Sequence, residues 1–206
     1  MTSRDQDALR FYQSRTVPQI IEIPTMTYLA ISGHGDPNGA EFGLAVQALY
    51  AVSYAIRMSY RQPDPPSGYH TYKVSALEGI WDLLDITKPV SDKSNYAYDL
   101  MIRQPDFVTE DVFRRYVLET MRKKRDPVTL NQVKHIEYAD GLSCQMLHVG
   151  PYDEEPASFK RMEEHCENLG YHRVSKRHKE IYLSDPRKTA PHKMRTILRF
   201  KVERDG

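Results

Sequence analysis

Glu180 and Tyr182 alternate along HKEIYLS (178–184), a run that reads as a strand. Both side chains therefore project to one side while Ile181 projects to the other, where packed helices are expected. A carboxylate facing inward is costly unless it is hydrogen-bonded or used. Among aromatic rings its pKa should rise, which suits a general base working near neutral pH. These residues alone leave a second reading open, a solvated edge-strand glutamate paired with Lys179 or Arg177. Tyr152 follows Gly150 by two positions and can stack on a ligand or donate its hydroxyl; it can equally cover the end of the next helix. Trp81, the only tryptophan, closes a strand with Leu77 and Gly79 on its side. It is a candidate stacking wall with Gly79 admitting a ligand, or a core residue whose ring N–H needs a partner. Glu78 has the opposite parity. Tyr72 begins the same strand and is placed at the mouth of the site. Met101 and His148 complete the candidate lining, although His148 shares the parity of Met146 and Cys144 and reads equally as a satisfied sheet histidine.

Other chemistries find no motif. The eight histidines are scattered, with no His-Glu-x-x-His or paired-cysteine spacing, so neither a metal nor a cofactor is expected. There is no Gly-x-Ser-x-Gly elbow, phosphate loop or dinucleotide fingerprint. A formal charge of +1 gives no electrostatic reason to expect nucleic acid or an anionic membrane as partner. The basic run 122–125 closes a helix, where it complements the dipole. The first 14 residues lack a signal-peptide core, and no apolar stretch reaches membrane-spanning length. Cys144 and Cys166 read as buried thiols, and the expected compartment is the cytoplasm. Tyrosine, 14 residues against 6 phenylalanines, is the unusual component; it suits planar ligands but also ordinary strands.

The elements that must position these groups recur in order. Strands are predicted at 27–33, 72–81 and 96–104, with a helix from about 41 to 61 after a capping box at Asn38 and Glu41. Thr109 caps a helix over 110–125 that connects the halves. Strand, helix, strand and strand then repeat: 142–150, a helix ending at Gly170, 178–184 and 194–202. Gly33 precedes Phe42 by the interval separating Gly150 from Phe159, and Asp36 and Asp153 each follow their glycine by three residues. The expectation is an α+β domain spanning 1–206. Its two repeats, about 26–104 and 134–202, are related by a pseudo-twofold axis. Each is an antiparallel sheet with helices on one face, and the free faces enclose the cleft.

The segments YLAISGHGDPN, LYAVSYAIR, YKVSALEGIW, LSCQMLHVGPYDEEP, HKEIYLSDPRKTAPHK and RTILRF together resemble the GyrI-like family over about 20–202, in particular its stand-alone group. The resemblance implies a cleft that binds hydrophobic or cationic planar small molecules, with Glu180 at the position of the family's central pocket glutamate. It thereby selects the pocket reading of Glu180. A subset of this group comprises cyclopropanoid cyclopropyl hydrolases, which open the strained ring of DNA-alkylating antibiotics. That activity would cast Glu180 as base, Tyr152 and Tyr182 as oxyanion donors and Trp81 as wall. The alternative is a binding or sequestration protein without turnover. Ala76 and Asp82 stand where many relatives carry proline and a second tryptophan, so a smaller aromatic wall is expected.

Overall fold

The computed structural model describes residues 10–123 and 127–206. The N-terminal polar segment before Arg10, and the last two residues of the basic run at 122–125, lie outside the described residues. The strands are β1 (Gln19–Ile23), β2 (Met26–His34), β3 (Leu77–Leu83), β4 (Tyr96–Arg103), β5 (Lys134–Tyr138), β6 (Gly141–Val149), β7 (Tyr171–Arg173), β8 (His178–Tyr182) and β9 (Arg195–Arg204). Helices α1 (Ala40–Arg57), α2 (Glu110–Lys123), α3 (Pro127–Leu130) and α4 (Glu155–Asn168) interrupt them.

Eight strands form one antiparallel sheet in the order β1-β6-β9-β8-β3-β4-β2-β5, and β7 pairs with the end of β9. Each half has the predicted strand–helix–strand–strand order, as β2-α1-β3-β4 and β6-α4-β8-β9. The halves join where β3 pairs with β8, so the two expected sheets are one continuous sheet. The leading strands change sides: β1 precedes β2 but pairs with β6, and β5 precedes β6 but pairs with β2. Neither pairing is legible in the sequence, because QIIEI and KHIEY are too short for alternation to stand out from loop.

Apolar periodicity explains the helix side. The α1 stripe Ala45, Leu49, Val52 and Ile56 is buried against Leu29 and Ile31 of β2 and Leu100 and Ile102 of β4. Phe113 and Tyr116 of α2 extend this core. In the second half, Met162 and Cys166 of α4 cover Cys144 and Met146 of β6 and Leu198 and Phe200 of β9. Both cysteines are buried and free, as their pattern indicates. Thr109 caps α2 through the Val112 amide at 3.4 Å, and Gly170 takes φ +71 just past α4, where only glycine avoids strain. The capping box does not form: Gly39 is the N-cap of α1, and Asn38 donates twice to Asp36 Oδ1, at 2.9 and 2.8 Å. Asp36 closes its own local turn and withdraws Asn38 from the helix end.

The other face of the sheet is filled. Phe11, Ile23, Met26, Tyr28, Ile80 and Met101 pack there, beside Leu147, Ile181 and Ile197. A buried ionic network crosses it. Lys179 Nζ lies 3.1 Å from Glu78 and 2.9 Å from Asp140, while Arg199 reaches Asp140 at 2.6 Å and Gln145 at 2.8 Å. Tyr12 donates to Glu78, and Arg199 also holds the Phe11 carbonyl, which ties the N-terminal segment across this face. The expectation that the helix-free faces enclose the cleft is therefore corrected.

Candidate functional site

The strip of sheet between the two helix-covered regions lies on the helix side. α1 packs on α2, β2 and β4, whereas α4 packs on β1, β6 and β7, which leaves β3 and β8 between them. Side-chain alternation brings Gly79 and Trp81 of β3 and His178, Glu180 and Tyr182 of β8 onto this strip, with Gly79 opposite Glu180 in register. Ile181 faces away from the helices, the reverse of its expected orientation.

Glu180 is the hub. Its Oε1 lies 3.2 Å from His178 Nε2, and its side chain is 13% exposed. The Tyr182 hydroxyl accepts the Trp81 ring N–H at 2.8 Å and lies beside the Glu180 carboxylate. Burial first, then the nearby Glu180 charge, pushes the Tyr182 hydroxyl well above the ordinary phenol range, so it stays protonated. The decisive neighbour is Glu155, the first residue of α4, which sequence reasoning missed. Its carboxyl is buried, hydrogen-bonds to Glu180, and has one oxygen with no hydrogen-bond partner among the described residues. Desolvation, then the Glu180 charge and the bond to it, hold Glu155 far above the usual carboxylate range. The raised carboxyl pKa expected of the site is thus found on the helix. Burial beside a second carboxyl group is relieved when one member keeps its proton, and here that member is Glu155.

The aromatic groups divide by role. Tyr152 stands edge-on to Tyr182, with ring centroids 6.0 Å apart, and is 38% exposed at the groove rim. Burial and the Glu180 and Glu155 charges push its hydroxyl up to about 12, which keeps it a donor. Trp81 is buried, and Phe42 of α1 stacks on it at 5.9 Å and 19°. Its indole supports Tyr182 instead of presenting an open face. Gly79 has the same purpose: an added Cβ would lie 2.8 Å from Trp81 Nε1 and 3.2 Å from the Tyr182 hydroxyl, so the space expected for a ligand holds these groups.

Three candidates fall elsewhere. Met101 is buried on the opposite face, because strand alternation turns it toward Ala30 and Ile80. Tyr72 precedes β3, in a cluster with Tyr69 and Phe107, where its backbone carbonyl accepts from Arg57. The strand expected to start there begins at Leu77. His148 is buried, with Nδ1 2.9 Å from the Ser158 hydroxyl and Nε2 3.1 Å from the Pro151 carbonyl. It thereby fixes the turn that carries Tyr152 and Glu155. A surface depression of about 580 Å³ flanks that turn, lined by His148, Asp153 and Arg161, but Glu180 and Tyr182 do not border it.

Tyr96 joins the site, although no spacing in the sequence marks it. Tyr96 packs edge-on to Trp81 at 5.9 Å and feels the charges of Glu180, Asp153 and Asp36; Tyr50 of α1 lies near Asp185 and Arg187 of the loop after β8. Among the described residues, no group of three or more His, Cys, Asp or Glu side chains is placed to hold a metal ion, and no helix is long and apolar enough to cross a membrane.

A hydrolase from Listeria innocua is 37% identical to this chain, with a TM-score of 0.87 over 97% of this chain and 98% of that one. An uncharacterized conserved protein from the same organism is 38% identical, with a TM-score of 0.90 over the same shares. The C-terminal domain of EcmrR shares the fold at 13% identity, with a TM-score of 0.53 over 91% of this chain and 97% of that domain. No curated protein matches the chain. The family match runs over residues 16–202, nearly the whole chain, and shows that the protein belongs to the family of the GyrI-like small molecule binding domain.

Proposed function

We propose that the groove between α1 and α4 binds a hydrophobic planar molecule bearing an electrophilic cyclopropane fused to a dienone, and that the protein adds water to the strained ring. Such a reaction would detoxify genotoxic alkylating agents, and it needs no cofactor. The observation that carries this reading is the buried Glu155–Glu180 carboxyl pair, bordered by tyrosines that keep their protons. The 37%-identical Listeria hydrolase supports a hydrolytic role.

The assigned chemistry follows from the groups. Tyr152 and Tyr182 form an edge-to-face corner for the planar substrate, and positioning lowers the barrier for attack. Glu180 orients a water and accepts its proton as the oxygen attacks the ring carbon. The breaking C–C bond delivers its electron pair to the dienone, and the Tyr152 hydroxyl stabilises the phenolate that develops. Glu155 retains its proton and restrains Glu180. Trp81 and Gly79 hold Tyr182, so they act through it.

The test is a time course of purified protein with a cyclopropane-bearing duocarmycin-type compound, followed by mass spectrometry. Gain of one water over many turnovers is expected, with loss of that gain in Glu180→Gln. Unchanged compound together with quenching of Trp81 fluorescence on titration would replace this reading with sequestration. The carboxylates around Tyr96 would then favour a cationic planar ligand.

A further inference from the structure

His178 sits between the carboxyl pair and solvent, and its two ring nitrogens are not equivalent. Nδ1 lies 3.0 Å from the Lys176 carbonyl, an oxygen that can only accept, so Nδ1 carries hydrogen. Nε2 therefore faces Glu180 Oε1 across 3.2 Å with one proton to be placed between them. The Phe159 ring, edge-on at 4.8 Å, holds the imidazole in this orientation. Exposure rises along the series: Glu155 is buried, the Glu180 side chain is 13% exposed and that of His178 22%.

We propose that His178 is the outlet through which the proton taken up by Glu180 reaches solvent. This rests on the reading of Glu180 as the proton acceptor. In turnover, a water O–H bond breaks as its oxygen bonds to the ring carbon, and the proton goes to Glu180. The imidazole, having shed its Nε2 proton to solvent, takes that proton and restores the carboxylate. Solvent returns one proton to the phenolate, so the sum is addition of one water. His178 acts through Glu180 and is a positioning residue in that sense; it need not touch substrate.

Few other charges compete for the ring. On its own strand the facing group is Glu180, with Lys179 turned to the other face. From α4, Glu155 acts through Glu180, and Glu163 is occupied by Arg173 and Lys176 at 2.9 and 3.2 Å. Opposite on β3 stands Trp81, which is not titratable, and beyond it Tyr96 of β4. Arg177 is paired with Asp99 at 2.9 Å.

Two measurements test the outlet. Ring ¹⁵N NMR of His178, which needs no substrate, should show hydrogen on Nδ1 and an Nε2 resonance that moves in Glu180→Gln, where the facing carboxylate oxygen is replaced. Hydrogen on Nε2 alone, or an Nε2 resonance unmoved by that substitution, overturns the proposal. With the cyclopropane substrate, His178→Gln keeps an amide donor toward Glu180 but cannot titrate. Its kcat should fall at least tenfold with KM within twofold, and added imidazole should restore part of the rate. A wild-type rate and pH profile, or a rise in KM without rescue, would mean a structural role only. If the wild-type protein turns over no substrate, the hydrolase reading falls, while the NMR measurement still decides whether His178 and Glu180 share a proton.

Discussion

The two faces of the central sheet each bury a pair of carboxyl groups, and they treat them oppositely. Lys179 and Glu180 are neighbours on β8, yet alternation sends one to each face. Behind the sheet, Glu78 and Asp140 meet Lys179 and Arg199, so the charges cancel, and Asp140 is held below the usual carboxylate range despite its burial. On the helix side, Glu155 and Glu180 meet each other and hydroxyl donors, so charge is relieved by keeping a proton. A neutralised network resists change, whereas a proton-holding pair is prepared for exchange. This contrast separates the face that stabilises the fold from the face proposed to do the chemistry.

The largest effect should come from breaking the neutralised face. Lys179→Met leaves the Glu78 carboxylate buried without its cation, at a cost of about 3–5 kcal/mol in urea-denaturation experiments. A loss below about 1 kcal/mol would mean that the network contributes little. The pH dependence has a defined sign. The folded-state pKa of Asp140 is depressed, so its contribution is present above the unfolded value of about 3.9 and is lost as pH falls through the folded value.

Next in size is the loss of the proposed hydrolysis on the helix side. Glu180→Gln should lower turnover by at least about 10²-fold, the usual weight of a general base. Its stability should stay within about 1 kcal/mol of the parent, because the amide remains compatible with the Tyr182 hydroxyl. Retention of full turnover would remove Glu180 from its assigned role, and a stability loss like that of Lys179→Met would erase the contrast between the faces.

Glu155→Gln tests the sign of the comparison directly. Because the folded-state pKa of Glu155 is raised, its contribution is fully present below the unfolded value of about 4.3 and is lost as pH rises toward the folded value. Glutamine keeps a neutral, hydrogen-bonding side chain. The variant should therefore match the parent near pH 4 and exceed it by about 2 kcal/mol at pH 8, or roughly 4–8 °C in Tm for a chain of this size. Thermal melts at the two pH values decide it, and equal melting points at pH 8 would show that Glu155 ionises freely.

Why Glu155 was not legible, although Glu180 was, follows from geometry. Alternation in HKEIY fixes which residues share a side, so Glu180 and Tyr182 could be grouped from spacing. The repeat and the caps at Thr109 and Gly170 were legible for the same reason, being local periodic or conformational signals. Glu155 lies in PYDEEP, where an acidic residue at a helix start is adequately explained by the dipole, and only tertiary packing turns it toward β8. Parity also says nothing about which side a helix covers, which is why the cleft was assigned to the helix-free side and Met101 to its lining. One available signal was the Pro156 that follows Glu155, since proline in the first helical turn fixes where α4 begins.

The smallest effect tests how the proton-holding face is kept in place. Tyr182→Phe retains the ring but removes the acceptor of the buried Trp81 N–H and the hydroxyl beside Glu180. An unpaired buried N–H costs on the order of 1 kcal/mol, and Trp81, the only tryptophan, reports it through a shifted emission maximum. Gly79→Ala should give the same spectral change by another route, because its methyl would press on Trp81 Nε1 and the Tyr182 hydroxyl. If both variants alter emission and also reduce turnover without changing the pH slope that Glu155 imposes, Trp81 and Gly79 serve orientation alone. If the pH slope flattens as well, the Trp81–Tyr182 hydrogen bond belongs to the machinery that retains the proton, and the boundary between support and chemistry lies one residue deeper than Glu180.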